Sequence, residues 1–513
     1  MTFFKTFSKK PLSIYLTTII VGTLLSIYAV KATDVINNDG ILYIYTANAF
    51  LEGGFSKAMT VFSWPLFSMM IAWFHTLTGA DMETSAYAVN ALFLIIASIT
   101  FLCIYEEISS ANLPLWIPAL IILALPILND YRAYIIRGHG AWAFTLLALL
   151  YFIHYAKQPT IRSALLWQAF AIAGMLFRIE GLVFLVFAPF FFLISKEHRK
   201  TFFRHFIRLN SILIPFTISA ITYLFNYILK MDGLSDDLQL RLSYMLPSSM
   251  LIRIKEAASG VEALMPDVSS GEAVLITASG LAILVFFKLI KNINLFYLAI
   301  WVYGYRKQWV NLSKESNIVL FFALISLLPL IAIAGNQLFM SSRYTVLPII
   351  LLSLIFCQYF EYLFYKLMDS RRFRAVTGMF FLVILFFLDA IIHTGAIKGN
   401  LVTASTWVSR HIESDTKMAC SDTRFSFYTK GKCTYEEGLE SDNIKDMTWL
   451  IKEGKYNYLL LWVDHNDKQI RNYLGASKSL VLLKSFGNKK GDEARFYMIS
   501  VPGNHNLPIT DQN

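Results

Sequence analysis

Asp39 lies in the run Asn38-Asp39-Gly40-Ile41-Leu42-Tyr43-Ile44-Tyr45-Thr46-Ala47-Asn48-Ala49-Phe50-Leu51-Glu52-Gly53-Gly54, just after the uncharged stretch Pro11 to Val30. A carboxylate there, once partly desolvated, is suited to take the proton of an attacking hydroxyl. The alternative is a helix N-cap, since an Asp before a helix accepts backbone N–H bonds. Three arginines stand at the ends of apolar runs: Arg137 in the short segment 129–140, Arg178 and Arg343. Arg178 is about 24 Å of helix beyond Arg162, so the two sit at opposite ends of one run. The planar guanidinium, with its paired donors, suits the negative charge that develops on a leaving phosphate. Charged groups near or within spans are costly and usually face a protein interior, which favours function; the alternatives are interfacial snorkelling and, for Arg178 with Glu180, a structural pair.

Other groups with chemistry to offer lie near these. Asp130, Arg132 and His139 share a loop with Arg137. Asp130 is a candidate second acid that orients an acceptor, and His139 a candidate ligand of a phosphate or a sugar hydroxyl, against simple loop solvation for both. Lys57 is a further candidate for phosphate. Trp64 either stacks on a sugar or belongs to the interfacial aromatic belt.

The elements that must position these groups are apolar. The chain of 513 residues is 56% hydrophobic and 16% charged, with a mean hydropathy of +0.53, too apolar for soluble domains of that length. The net charge of +10 comes from Lys and Arg between apolar runs rather than on one polar face, so no nucleic-acid partner is expected. The basic flank Lys5, Lys9 and Lys10 precedes a first stretch long enough to span the bilayer. Val30-Lys31-Ala32 loosely fits a signal-peptidase site, but the apolar stretch exceeds a signal core, and an uncleaved anchor is expected.

Eleven spans are expected, near 11–30, 84–105, 114–129, 141–157, 162–178, 181–195, 210–229, 272–289, 316–335, 344–364 and 375–394. The short run 293–305, flanked by Lys and Arg, reads as a helix on the cytoplasmic surface. With the N-terminus inside, Lys196, Arg199, Lys200, Arg204 and Arg208, then Arg306, Lys307 and Lys314, then Lys366, Arg371, Arg372 and Arg374 fall on the cytoplasmic side. Three segments then face outward: a loop at 31–83 with amphipathic helices, a loop at 230–271 that is either a mobile flap or a connector, and a tail from about 395. The chain therefore divides into a membrane domain, 1–394, and an extracytoplasmic domain, 395–513. Strand-like runs at 458–463, 480–483 and 496–501 mark the latter as a small α/β module. Cys420 and Cys433, thirteen apart, are either a disulfide or two thiols in a small core. No internal repeat and no Gly-rich phosphate loop appears, which argues against an ATP-driven machine and duplicated transporter halves.

The Asp39 loop resembles the first outer loop of membrane glycosyltransferases of the GT-C class, which includes protein mannosyltransferases and lipid A aminoarabinose transferases. The shared features are an Asp, tyrosines shortly after it, an Ala eight residues on and then a Gly. The resemblance continues through Trp64-Pro65, Arg178-Ile179-Glu180-Gly181 and Ser342-Arg343-Tyr344 followed by Pro348, and covers roughly residues 10–395. It departs at Gly40, where many relatives carry a second acidic residue, so it brings neither a metal site nor an acid pair with it. No cofactor is expected, and a divalent metal stays open.

The resemblance implies an α-helical polytopic membrane protein of the GT-C kind, acting on a polyprenyl-phosphate sugar donor and a lipid, glycan or protein acceptor. In this reading Asp39 and Asp130 are catalytic, Arg137, Arg178, Arg343 and Lys57 hold the donor phosphate, and His139, Glu180, Tyr344 and Trp64 contact substrate. A single carboxylate base without an obvious nucleophile suits one inverting displacement. The rivals are a flippase of lipid-linked sugars and a glycan polymerase or ligase. The expected location is a bacterial inner membrane, since endoplasmic-reticulum retrieval signals are missing, with the site and C-terminus facing the periplasm.

Overall fold

A computed structural model describes residues 11–109, 114–194, 199–213, 247–265, 271–392, 398–413, 416–439 and 444–500. Most of the expected span 210–229, the acidic part of the 230–271 loop and the end of the 496–501 strand lie outside them. Two compact units result: Met1–Ala29 with Thr46–His393, and Val30–Tyr45 with Thr394–Asn513.

The first unit is helical. Among the described residues five helices are long and apolar enough to cross a membrane: Leu12–Ala32, Met82–Ile108, Ala273–Ile293, Lys314–Gln337 and Ser342–Asp369. Leu66–Thr78, Ile161–Phe177 and Ile179–Ile194 are shorter apolar helices. Gly138–Lys157 and Phe373–Ile392 are helices of 20 residues each. The 114–129 stretch is divided into Trp116–Leu123 and Pro126–Asp130. Pro126 has no N–H to continue a helix and opens the next one, with Leu125 before it extended. Lys314–Gln337 is interrupted at Ser326, whose hydroxyl donates to Ala323 O at 2.6 Å. Met82–Ile108 starts at Asp81, whose carboxylate accepts the Thr84 N–H at 2.9 Å. Residues 293–305 form the helix Leu295–Arg306, and the described part of the 230–271 loop holds the helix Pro247–Glu262.

The helix Asn38–Val61 runs across the division at Tyr45 and Thr46. It kinks at Gly53-Gly54, where Gly54 takes φ 68°, ψ −160°, a region open almost only to glycine.

The second unit is built on a five-stranded sheet in the order β2-β1-β3-β5-β4. Its strands are β1 Met418–Cys420, β2 Thr434–Tyr435, β3 Tyr458–Val463, β4 Leu480–Gly487 and β5 Glu493–Ile499. β1 runs parallel to β2 and β3, while β5 is antiparallel to β3 and β4, pairing Leu460 with Phe496 in the register. Side chains on β3 alternate, as a strand period of two requires. Leu459, Leu461 and Val463 join Met447, Leu450, Ile451, Ile470 and Leu474 from two helices. Tyr458 and Leu460 join Leu401, Ala404, Val408 and Phe425 on the other face. Both faces are covered, so β3 is almost wholly buried. Cys420 and Cys433 are bridged, with Cα atoms 5.9 Å apart.

Candidate functional site

In the first unit, Arg178, Glu180, Arg343 and Tyr344 meet around one cavity of about 60 Å3. Trp142 and Thr145 from Gly138–Lys157, Gly174, Phe184, Ser326 and Leu330 complete much of its wall. By the room one water needs, the space admits a group of a few water volumes, the size of a phosphate rather than of a whole lipid-linked sugar.

Two turns bring the charged groups there. Helix Ile161–Phe177 stops at Arg178, which is extended at φ −146°, ψ 122° and whose N–H still reaches Gly174 O at 3.0 Å. One 3-10 turn, Ile179–Gly181, follows, and the chain enters the next helix at Leu182. Gly181 is required by close approach: a Cβ there would stand 2.8 Å from Met175 N and 2.9 Å from its Cα. The second turn is the 3-10 segment Ser342–Thr345 ahead of Val346–Asp369. Thr345 fixes it, donating to Ser342 O at 2.8 Å and accepting from Asn292 Nδ2 at 2.7 Å. Pro348 sits in the first helical turn, where its missing N–H costs no intrahelical bond.

Arg178 Nη2 donates to Glu180 Oε1 at 2.5 Å. The Arg178 guanidinium lies over the Tyr344 ring at 4.8 Å and that of Arg343 at 5.4 Å, both within cation–π range. Glu180 Oε2 is buried with no hydrogen-bond partner among the described residues. Two guanidiniums therefore lie over one aromatic ring beside one carboxylate, and the field of Arg137 also acts on that carboxylate. Such a cluster is suited to an anion, which would draw together cations that otherwise repel.

The remaining sequence-expected residues are elsewhere. Arg137 stands over the Phe62 ring at 5.2 Å. Asp130 is exposed, and its field acts on Tyr131. His139 is fully buried, edge-on to Trp142 at 5.0 Å, and is not among the residues that line the cavity. Arg132 is 4% exposed and ties its loop to the first helix through Gly22 O and Ser26 Oγ. Lys57 pairs with Glu52 at 2.6 Å on an exposed face. Trp64 is half-buried, with its indole N–H unpartnered among the described residues. The sequence reading missed Trp142, Thr145, Gly174 and Ser326, whose only signal is a small or polar residue inside an apolar run.

Asp39 belongs to the second unit. It is half-buried in the first turn of Asn38–Val61. The segment around it is held by the C-terminal region: Val35 packs into one core, and on the helix Thr423–Tyr428 the Tyr428 Oη accepts the Ile36 N–H at 2.9 Å and Phe427 meets Tyr45 edge-on at 6.1 Å. An Asp39 near the first membrane helix is thus braced by residues nearly four hundred positions away, which no local pattern announces.

Among the described residues one group has metal-ligand types close together, Asp464, His465 and Asp492, in the second unit. His465 Nδ1 and Asp492 Oδ1 are 2.7 Å apart and Asn488 Nδ2 donates to Asp492 Oδ2 at 3.0 Å, so these groups serve one another. Burial raises the Asp492 carboxyl, but hydrogen bonds from Asn488 and His465 outweigh it and hold the group below the usual range. None of the sequence-expected site residues belongs to this group.

No family model matches the chain, and no curated protein matches it. Sixteen chains of solved structures resemble it, two of which follow. ArnT from Cupriavidus metallidurans in the apo state matches at a TM-score of 0.42 and 11% identity, over 94% of this chain and 97% of that one. The archaeal oligosaccharyltransferase AglB from Archaeoglobus fulgidus, in complex with an inhibitory peptide and a dolichol-phosphate, matches at a TM-score of 0.47 and 12% identity, over 96% of this chain and 75% of that one. Likeness at that level says nothing about chemistry, which rests on the side chains themselves.

Proposed function

We propose that this chain is a membrane glycosyltransferase that moves a sugar from a polyprenyl-phosphate donor to an acceptor hydroxyl at the outer face of a bacterial inner membrane. The observation that carries this reading is the meeting of Arg178 and Arg343 on the Tyr344 ring at the rim of one phosphate-sized cavity. Its position at the N-terminal end of the helix Val346–Asp369 adds a second attraction for an anion, since the positive end of the helix dipole points there.

In the step, the acceptor oxygen forms a bond to the anomeric carbon as the bond from that carbon to the phosphate oxygen breaks. The electron pair leaves with the lipid phosphate, whose charge Arg178 and Arg343 meet, with Arg137 adding to the field. Asp39 takes the acceptor's proton; that assignment stands on the sequence pattern alone, as does inversion. Glu180 holds Arg178 in place, so the turn keeps its geometry between turnovers. In this reading residues 1–394 carry out transfer and the 395–513 region admits the acceptor.

The test uses full-length protein in liposomes with labelled polyprenyl-phosphate sugar. Glycosylated acceptor and free lipid phosphate, formed by wild type and lost in Arg343→Gln, are expected. Lipid movement across the bilayer without cleavage overturns the transferase in favour of a flippase, and a product with the donor's anomeric configuration overturns inversion.

A further inference from the structure

The far end of the same helix holds a second, larger cavity, of about 1090 Å3. From Leu347 to Lys366 the helix rises about 28 Å, close to the thickness of a hydrocarbon core, so the two cavities serve opposite membrane faces. The sequence reading makes the second face cytoplasmic, because Arg371, Arg372 and Arg374 follow directly.

Glu361 lines this cavity and is 2% exposed. Its Oε2 accepts the Tyr105 hydroxyl at 2.5 Å, while its Oε1 is buried with no hydrogen-bond partner among the described residues. A buried carboxylate oxygen left this way is costly, and an ionisable residue within a span is a sign of function. What it lacks is a donor, ideally a cationic one. Lys366 stands at the mouth, exposed, over the Trp309 ring at 5.3 Å and the Tyr362 ring at 5.7 Å, with no ion pair among the described residues. The lining also holds the Lys157–Glu107 ion pair and the carboxylates of Glu315 and Asp369, so a simple anion would meet three further carboxylates and a simple cation would leave Lys366 unmatched.

We propose that this cavity binds a zwitterion that joins a primary ammonium to a phosphate, of the phosphoethanolamine type. The ammonium donates to Glu361 Oε1 and the phosphate pairs with Lys366, while the Trp309 and Tyr362 rings flank the entrance. The same headgroup comes either on a membrane phospholipid or as a free small molecule. This site is independent of the transfer reaction, and its test needs no glycosyl donor.

Full-length protein is reconstituted in nanodiscs containing equal amounts of phosphatidylethanolamine, phosphatidylcholine and phosphatidylglycerol, and retained lipid is read by native mass spectrometry. Phosphatidylethanolamine enriched about tenfold over both others is expected, because choline's quaternary nitrogen has no N–H and glycerol has no charge for Glu361. Glu361→Gln and Lys366→Gln should each bring the enrichment to parity; Lys366 is exposed, so its variant reports even if the buried substitution impairs folding. Soluble phosphoethanolamine that displaces the bound lipid supports the site with the free molecule as its ligand, and failure to displace supports it with the lipid. Parity in wild type, or enrichment unchanged in both variants, overturns the proposal.

Discussion

The two ends of the helix Ser342–Asp369 solve opposite problems. At the arginine end, two cations are crowded on one ring with a neighbouring carboxylate, in a cavity of about 60 Å3. At the other end, among the described residues, the buried Glu361 carboxylate accepts from one hydroxyl, in a cavity of about 1090 Å3 whose lining also holds Glu107, Lys157, Glu315, Lys366 and Asp369. Charge density and volume run in opposite directions, so the larger hole is not the better candidate for holding a leaving phosphate. A leaving phosphate needs cations already fixed in place; a headgroup needs room and one anchor at each end.

Several changes would break or sharpen that contrast. Asp39→Asn keeps shape and removes the base, and sugar transfer should fall by roughly 10²–10⁴-fold; full activity in a transfer assay with expression matched would move the proton acceptor elsewhere. At the arginine end Arg343→Gln should cost about 10²–10³-fold in transfer, and Arg343→Lys should recover only part, because an ammonium lacks the planar fork. Gly181→Ala pushes a Cβ into the Met175 backbone and should destabilise the first unit by about 2 kcal/mol; an unchanged melting temperature would mean that the turn relaxes freely. At the other end Tyr105→Phe deprives Glu361 of its one donor and should cost about 1–3 kcal/mol, a loss that added phosphoethanolamine headgroups should partly restore.

The smallest effect lies in the second unit. Arg495 and Ser485 hydrogen-bond the Glu493 carboxylate, and the Arg495 bond foremost holds its pKa down at about 2 against an ordinary 4.5. A carboxyl depressed on folding adds stability that is present above about pH 4.5 and is lost as the pH falls toward 2. With the side chain 24% exposed, solvent screening limits the gain to on the order of 1 kcal/mol. Glu493→Gln should flatten that part of the stability profile between pH 5 and 3; a slope unchanged from wild type would assign it to other carboxyls.

Much of the frame was legible. The runs at 84–105, 316–335 and 344–364 fall within long apolar helices and those at 11–30 and 272–289 begin one residue ahead of theirs, because a bilayer-length run of apolar residues leaves the backbone no other way to satisfy its hydrogen bonds. The 458–463 strand was visible as a β-rich run bounded by polar residues. The division of 114–129 was less so: an apolar count does not register that Pro126 ends one helix and begins another. Nor did any pattern expose Glu361, one polar residue in an apolar helix, as the floor of a cavity.

By itself, then, the sequence determined the solvent, the helical character of the first unit and the identity of the arginine and aspartate candidates, because these follow from composition and from spacing along one chain. Tertiary structure alone decided which candidates meet. Arg178, Glu180, Arg343 and Tyr344 converge through contacts between distant turns, His139 packs against Trp142 instead, and the Asp39 segment is held by Tyr428 and Phe427 of the C-terminal helix Thr423–Tyr428. Contacts of that range are set by the packing of whole elements, and no local period encodes them.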